Sequence, residues 1–290
     1  MQPYERITAA ILAAIESELP SWRRPWRTLR ESGAAALPVN AVSGRAYRGI
    51  NTFLLWSRQD ADMRYLTYRQ AQALGGNVRR GEHGTQVVFW QPRKYKARDA
   101  ATGEEEERQS LLVRLYTVFN VSQCENLKLK QAPDIDRTVP PSMADIYSRV
   151  GARVEHGGDV ACFIPAFDII RIPHAAAFSN GDAYAATALH ELTHWSGHES
   201  RLNRDLRHRF GTALYAAEEL VAELGSAYLC ASLGVNSALE HHASYIQHWR
   251  SLLKSDPRAV ITAASKAQAA ADYLLERMGC SIEEEEALAA

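Results

Sequence analysis

Cysteine is scarce in this chain. The four present, Cys124, Cys162, Cys230 and Cys280, are far apart and form no C-x-x-C pair. That argues against a disulfide framework and against a cysteine-based zinc site, and it suits free thiols in a reducing compartment. Long apolar runs are missing too, since no stretch approaches the roughly 18 uninterrupted residues of a membrane helix. The opening residues, Met1-Gln2-Pro3-Tyr4-Glu5-Arg6, show no basic segment followed by an apolar one, so no secretory leader is visible. The cytoplasm is the expected location, and no membrane is expected among the partners. Internal repeats are absent as well. What remains is ordinary globular composition, 46% hydrophobic and 23% charged over 290 residues, which excludes a wholly disordered or fibrous chain. At ~150 residues per domain, two domains are expected.

Net charge is nearly absent, at -1, but this balance hides an asymmetry. Residues 1–130 carry 20 Lys and Arg against 13 Asp and Glu, a net +7, while residues 131–290 carry 13 against 21, a net -8. Of the 10 histidines only His83 lies in the first part. The basic part is a candidate for polyanion binding and the acidic, histidine-rich part for metal chemistry.

Pro133, Pro140 and Pro141 with little apolar periodicity mark residues 131–141 as a linker. The expected organisation is α+β in two domains: a small α+β domain over 1–130, and a mostly helical domain with a short sheet over 142–290. In the first, helices are predicted at Asn51–Gln59 and Tyr68–Leu74, and strands at Thr85–Trp90 and Leu111–Val121. The acidic stretch Asp99–Gln109 reads as an exposed hairpin loop. In the second, helices are predicted at about Ser142–Arg153, Asp182–Gly197, Ala213–Leu233, Ser237–Lys254 and Pro257–Met278, with short apolar runs at Ala161–Ile164 and Asp168–Ile172.

His190-Glu191-Leu192-Thr193-His194 is an H-E-x-x-H sequence. On a helix, residues four apart stack on one face, so both imidazoles reach one ion, and the Glu beside the first can handle protons of the attacking water. Asp182 is a candidate N-cap and Gly197 a candidate C-cap of that helix. A catalytic zinc needs a third protein ligand and an open position. His194-Trp195-Ser196-Gly197 begins like the metzincin extension, but Ser200 stands where its third His would be. Glu219 and Glu223 on the next helix share a face. Their spacing resembles the gluzincin pattern, which implies that Glu219 is the ligand and Glu223 the acceptor for a histidine N–H; the reverse assignment stays open. His198 reads as an exposed polar residue. The Asp168–Ile172 run, bracketed by Pro165 and Pro173, suits either an edge strand that binds extended peptide or an ordinary core strand.

In the basic part, Trp22, Arg23, Arg24, Trp26 and Arg27 interleave rings and guanidiniums around Pro25. Rings stack on unpaired bases while cations follow the phosphates, a combination suited to single strands without sequence preference. Arg45, Tyr47, Arg48, Arg79, Arg80 and Lys94 extend the candidate surface.

Taken together, the chain resembles the ArdC family of plasmid antirestriction proteins, related to the N-terminal part of TraC-type conjugation primases. The resemblance rests on Pro25-Trp26, the run from Asn40 to Asn51, Gly81 to Thr85, Tyr116 to Asn120, His190 to His198 with Arg201-Leu202-Asn203, and Glu218 to Glu223. It implies an N-terminal domain that binds single-stranded DNA, a C-terminal zincin-like metallopeptidase domain, and protection of incoming plasmid DNA from host restriction during conjugation. The expected cofactor is Zn2+, with other divalent transition metals as alternatives, held by His190, His194 and Glu219, with Glu191 as the catalytic acid and base. Expected partners are single-stranded DNA and, as peptidase substrate, a host restriction component or another protein. Tyr215, Tyr228, Tyr245 and His248 are candidates for stabilising the oxyanion. The competing reading is a non-enzymatic DNA shield or primase accessory protein with a structural metal.

Overall fold

The computed structural model describes residues 8–9, 37–58, 60, 62–98, 105–129, 142–206, 212–235, 253–256 and 258–280. The fold is α+β. In chain order its principal elements are β1 (Val39–Asn40), α1 (Ile50–Trp56), β2 (Arg64–Thr67), α2 (Tyr68–Ala73), β3 (Asn77–Val78), β4 (Thr85–Arg98), β5 (Glu105–Asn120), β6 (Cys124–Glu125), α3 (Met143–Val150), β7 (Arg153–His156), β8 (Cys162–Ile164), β9 (Ile169–Ile172), α4 (Gly181–Ser196), α5 (Ala213–Leu233) and α6 (Ala259–Met278).

The first part is built on a four-stranded sheet in the order β1-β2-β5-β4, with β3 and β6 as a separate pair. Its long β4–β5 hairpin exceeds the expected strands. β4 runs past the expected end at Trp90 and continues through Pro92. Because β4 is an outer strand, the proline's missing N–H removes no ladder bond on its free side. β5 begins at Glu105, so Glu105–Gln109 of the acidic stretch read as a loop is strand, while residues 99–104 lie outside the described residues. The outer edge of β4 is blocked at Val88, whose N–H donates to Asn51 Oδ1 and whose carbonyl accepts from Asn51 Nδ2, both at 2.7 Å. A paired edge no longer offers those groups to another chain.

The second part combines helices with a three-stranded sheet in the order β7-β9-β8. β9 pairs parallel to β7 and antiparallel to β8. The Asp168–Ile172 run is thus a central strand, and the edge reading of it fails. Ile170 and Ile172 are fully buried, which fits a strand flanked on both sides. Caps set the helix ends. Ser142 accepts from Asp145 N at the start of α3, and Thr212 from Tyr215 N at the start of α5. The N-cap of α4 lies two residues earlier than expected, because Asn180, not Asp182, accepts from Ala183 N at 2.8 Å. The expected helix Ser237–Lys254 falls mostly outside the described residues.

One apolar core crosses from part to part. Ile50, Phe53, Leu54 and Trp56 of α1 and Val88 of β4 join Leu189, Leu192, Leu220, Val260, Ala264 and Leu274. Polar contacts follow the same seam. Tyr228 donates to the Gly49 carbonyl at 2.9 Å, Gly49 N donates to Gln268 Oε1 at 2.8 Å, and Arg48 pairs with Asp272 on α6. We therefore propose residues 131–141 as a boundary of sequence pattern and not of packing. Arg48→Ala is expected to lower stability by only about 0.5–1 kcal/mol, because the pair is partly exposed. In a denaturation series the Arg48→Ala/Asp272→Ala double variant should cost no more than the larger single loss.

Candidate metal centre

Small residues bring the two site helices together. A Cβ at Gly225 of α5 would lie 2.5 Å from Thr193 Cγ2 of α4, so only glycine permits this approach. Next to it Ser226 Oγ donates to the Ala186 carbonyl at 3.0 Å. The crossing places three carboxylates of α5 against two imidazoles of α4.

His190 and His194 sit one turn apart, their ring centroids 4.8 Å from each other. Glu219 lies between them: its Oε2 is 3.6 Å from His190 Nε2 and its Oε1 3.6 Å from His194 Nε2. The far nitrogens face other carboxylates. His190 Nδ1 is 3.4 Å from Glu223 Oε1, and His194 Nδ1 is 3.2 Å from Glu218 Oε1. Glu218 is held in turn by Arg204, whose Nη2 donates to Oε1 at 2.9 Å and whose Nε donates to Oε2 at 3.1 Å. Arg204 also donates to the Thr193 carbonyl at 2.6 Å and to Ser196 Oγ at 3.0 Å.

Burial alone would raise the carboxyls of Glu218 and Glu219, but both are held below the usual range. His194 and Arg204 do this for Glu218; His190, His194 and the Tyr215 hydroxyl do it for Glu219. Burial would likewise lower His190, yet the charges of Glu223, Glu191 and Glu219 push it up to about 9. Even with His190 protonated and Arg204 on Glu218, the four carboxylates Glu191, Glu218, Glu219 and Glu223 leave the pocket an excess of negative charge. Among the described residues, His190, His194 and Glu219 form the only group of three donors able to share one ion, with ligand atoms all within 4.8 Å of one another. Two nitrogens and one carboxylate oxygen at that spacing, in an excess of negative charge, fit a divalent cation.

Gly197 ends α4 with ordinary helical torsions, φ -80 and ψ -8, so the turn itself does not call for glycine. The requirement is steric, because a Cβ there would meet Arg204 Nη2 at 2.7 Å. Gly197→Ala should destabilise the chain by ~1–3 kcal/mol, as overpacking does. In a denaturation measurement, adding it to Arg204→Ala should cost little more, since the clashing group is gone.

Comparison with known proteins gives the same answer over the whole length. The crystal structure of the metal-free antirestriction protein ArdC of plasmid R388 matches at TM-score 0.77 and 36% identity, covering 98% of this chain and 100% of that one. The chain belongs to the ArdC antirestriction family. Residues 1–119 match the N-terminal domain of anti-restriction factor ArdC, and residues 141–266 match the zincin-like metallopeptidase family. The Mn(II)-bound R388 ArdC structure matches at TM-score 0.75 and 35% identity, covering 96% of this chain and 98% of that one. Protein y4eC of Sinorhizobium fredii is 41% identical over 280 residues, 93% of this chain and 91% of that protein. A DNA primase TraC of Escherichia coli is 34% identical over 291 residues, 94% of this chain but only 27% of the primase.

In this ArdC-family chain Glu191 is buried at 6% exposure beside His190. Its charge, with burial, raises the Cys162 thiol of β8 and contributes to raising the Tyr147 hydroxyl. Tyr147 OH is 3.3 Å from Tyr184 OH, which is 2.9 Å from His156 Nε2. Sequence reading missed this cluster, together with Glu218 and Arg204. The only available signal was the position of Glu218 directly before Glu219. Tyr228, an oxyanion candidate, is spent on the Gly49 carbonyl far along α5, and Tyr245 and His248 lie outside the described residues. His198 is half-buried, with Nδ1 2.8 Å from Ser200 Oγ, apart from the three donors.

The nucleic-acid candidates are scattered. Trp22, Arg23, Arg24, Trp26 and Arg27 lie outside the described residues. Arg45 and Arg80 are exposed, and exposed Arg79 pairs with Glu82 at 2.8 Å. Tyr47 is half-buried with its ring edge-on to Tyr65, and Arg48 is engaged with Asp272. Lys94 occupies the β4 position opposite Gln109. Among the described residues no helix is long and apolar enough to cross a membrane.

Proposed function

We propose that this chain is an antirestriction protein that binds single-stranded DNA and carries a zinc-dependent peptidase site. The observation that carries the peptidase reading is the double clamp on the histidine pair. Both Nε2 atoms face Glu219, while both Nδ1 atoms face a further carboxylate. Such outer carboxylates fix tautomer and ring orientation, so each Nε2 presents its lone pair inward. His190, His194 and Glu219 would hold Zn2+, leaving a position open. When bound, the ion lowers the pKa of water and polarises a carbonyl. Glu191 takes a proton from the attacking water and passes it to the leaving amine.

β8 is an outer strand of its sheet and contacts α4. With the Glu191 charge acting on Cys162, it is the strand on which an extended peptide could be laid by strand addition. A host restriction component or another protein would supply that peptide. The net +7 on residues 1–130 supports the DNA reading, together with the interleaved Trp and Arg of residues 22–27. The test is plasmid transfer into a restricting host with the wild-type chain and with Glu191→Ala. Protection lost with the carboxylate supports the peptidase as the working part. Protection retained assigns it to DNA binding.

A further inference from the structure

We propose that one face of the β4–β5 hairpin is the stacking platform for single-stranded DNA, an inference that rests on the DNA-binding reading above. β2 reaches β5 only at Val118–Asn120, so beyond that point β4 and β5 pair with each other alone and form a two-stranded ribbon. Directly opposed residues of an antiparallel pair share a face, and alternate residues share it along each strand. On one face, Val87 and Val118 are covered by Leu55, Tyr47 and Tyr65. One step outward the cover ends. Tyr116 is 37% exposed and Arg114 is exposed, with Phe89 edge-on to Tyr116 at 6.0 Å between centroids.

The register carries the pattern further. Phe89 is opposite Arg114, Arg93 opposite Ser110, and Tyr95 opposite Arg108. Three aromatic and three arginine positions therefore share this face, and two of the arginines stand directly across from an aromatic. The acidic positions fall mainly on the other face, where Lys96 is opposite Glu107 and Arg98 opposite Glu105. Glu106, opposite Ala97 near the tip, is the exception. From Tyr116 to Arg108 the ribbon spans ~27 Å, room for several nucleotides. Rings stack on any base and guanidiniums pair with phosphates, whereas a duplex offers no open bases to stack on. Charge and aromatic content together select an unpaired polyanion with flat bases.

The test uses the full chain and a fluorescently labelled oligo-dT 20-mer, read by anisotropy at low salt. Phe89→Ala and Tyr116→Ala should each weaken binding about tenfold or more, and Tyr116→Phe should restore it. Arg114→Glu, an exposed change that spares the core, should weaken binding and flatten its salt dependence by about one unit of log–log slope. Thermal midpoints and metal content should stay at wild-type values for Arg114→Glu and Tyr116→Phe. If the wild type binds and all of these variants bind within twofold of it, the platform is elsewhere and the DNA-binding reading survives. If the wild-type chain gives no anisotropy change, both fail together.

Discussion

Glu191→Ala should keep one divalent ion per chain and lose peptide hydrolysis by about 10²–10⁴-fold, the usual contribution of a positioned acid and base. The two properties separate because of where the carboxylate sits. It is buried next to His190 on α4 but does not belong to the three donor atoms that cluster within 4.8 Å. It reaches His190 through charge, as one of three carboxylates that raise that imidazole. Removing it leaves Glu219 between the two Nε2 atoms and leaves Glu218 and Glu223 on the two Nδ1 atoms. Metal content by mass spectrometry, with a circular dichroism melt, checks retention; cleavage of a peptide library checks the loss. Metal lost with the carboxylate would place Glu191 among the ligands.

How much of this was legible in the sequence depended on whether a signal was local. α5 has the expected bounds, Ala213–Leu233, because a Thr N-cap, an unbroken helical pattern and a left-handed Gly234 all lie within its own segment. The imidazole pair was legible for the same reason, since i and i+4 on a helix fix its geometry. β7 was missed because Arg153–His156 is mostly exposed and shows no apolar alternation. The α1 face was readable as buried, but nothing in Ile50, Phe53 and Trp56 says that α4, α5 and α6 cover it. The clamp by Arg204 was hidden too. It joins the loop after α4 to α5, and its only local trace is a glycine whose reason is an arginine seven residues on. The choice between an edge and a core strand for Asp168–Ile172 stayed open because flanking prolines mark where a strand stops, not whether it has neighbours on both sides.

The choice between Glu219 and Glu223, open from spacing alone, now has a geometric basis and a measurable consequence. Both are buried, at 6% and 5% exposure, so burial does not separate them; the nitrogen each one faces does. Glu219 meets the Nε2 atoms of both histidines at 3.6 Å, whereas Glu223 meets only Nδ1 of His190 at 3.4 Å, on the opposite edge of that ring. One ion can touch two Nε2 atoms and Glu219 together, but not two Nε2 atoms and a group behind one imidazole. Glu223→Ala should therefore act as the loss of an orienting partner and cost ~10–100-fold in metal affinity. Glu219→Ala removes one of three donors and should cost more than 100-fold, beyond the range of an orienting partner. Glu218→Ala should resemble Glu223→Ala, since it stands in the same relation to His194, with the added penalty that buried Arg204 loses its anion. A chelator-buffered zinc titration of the three variants ranks them directly, and a larger loss for Glu223→Ala than for Glu219→Ala would transfer the ligand role to Glu223.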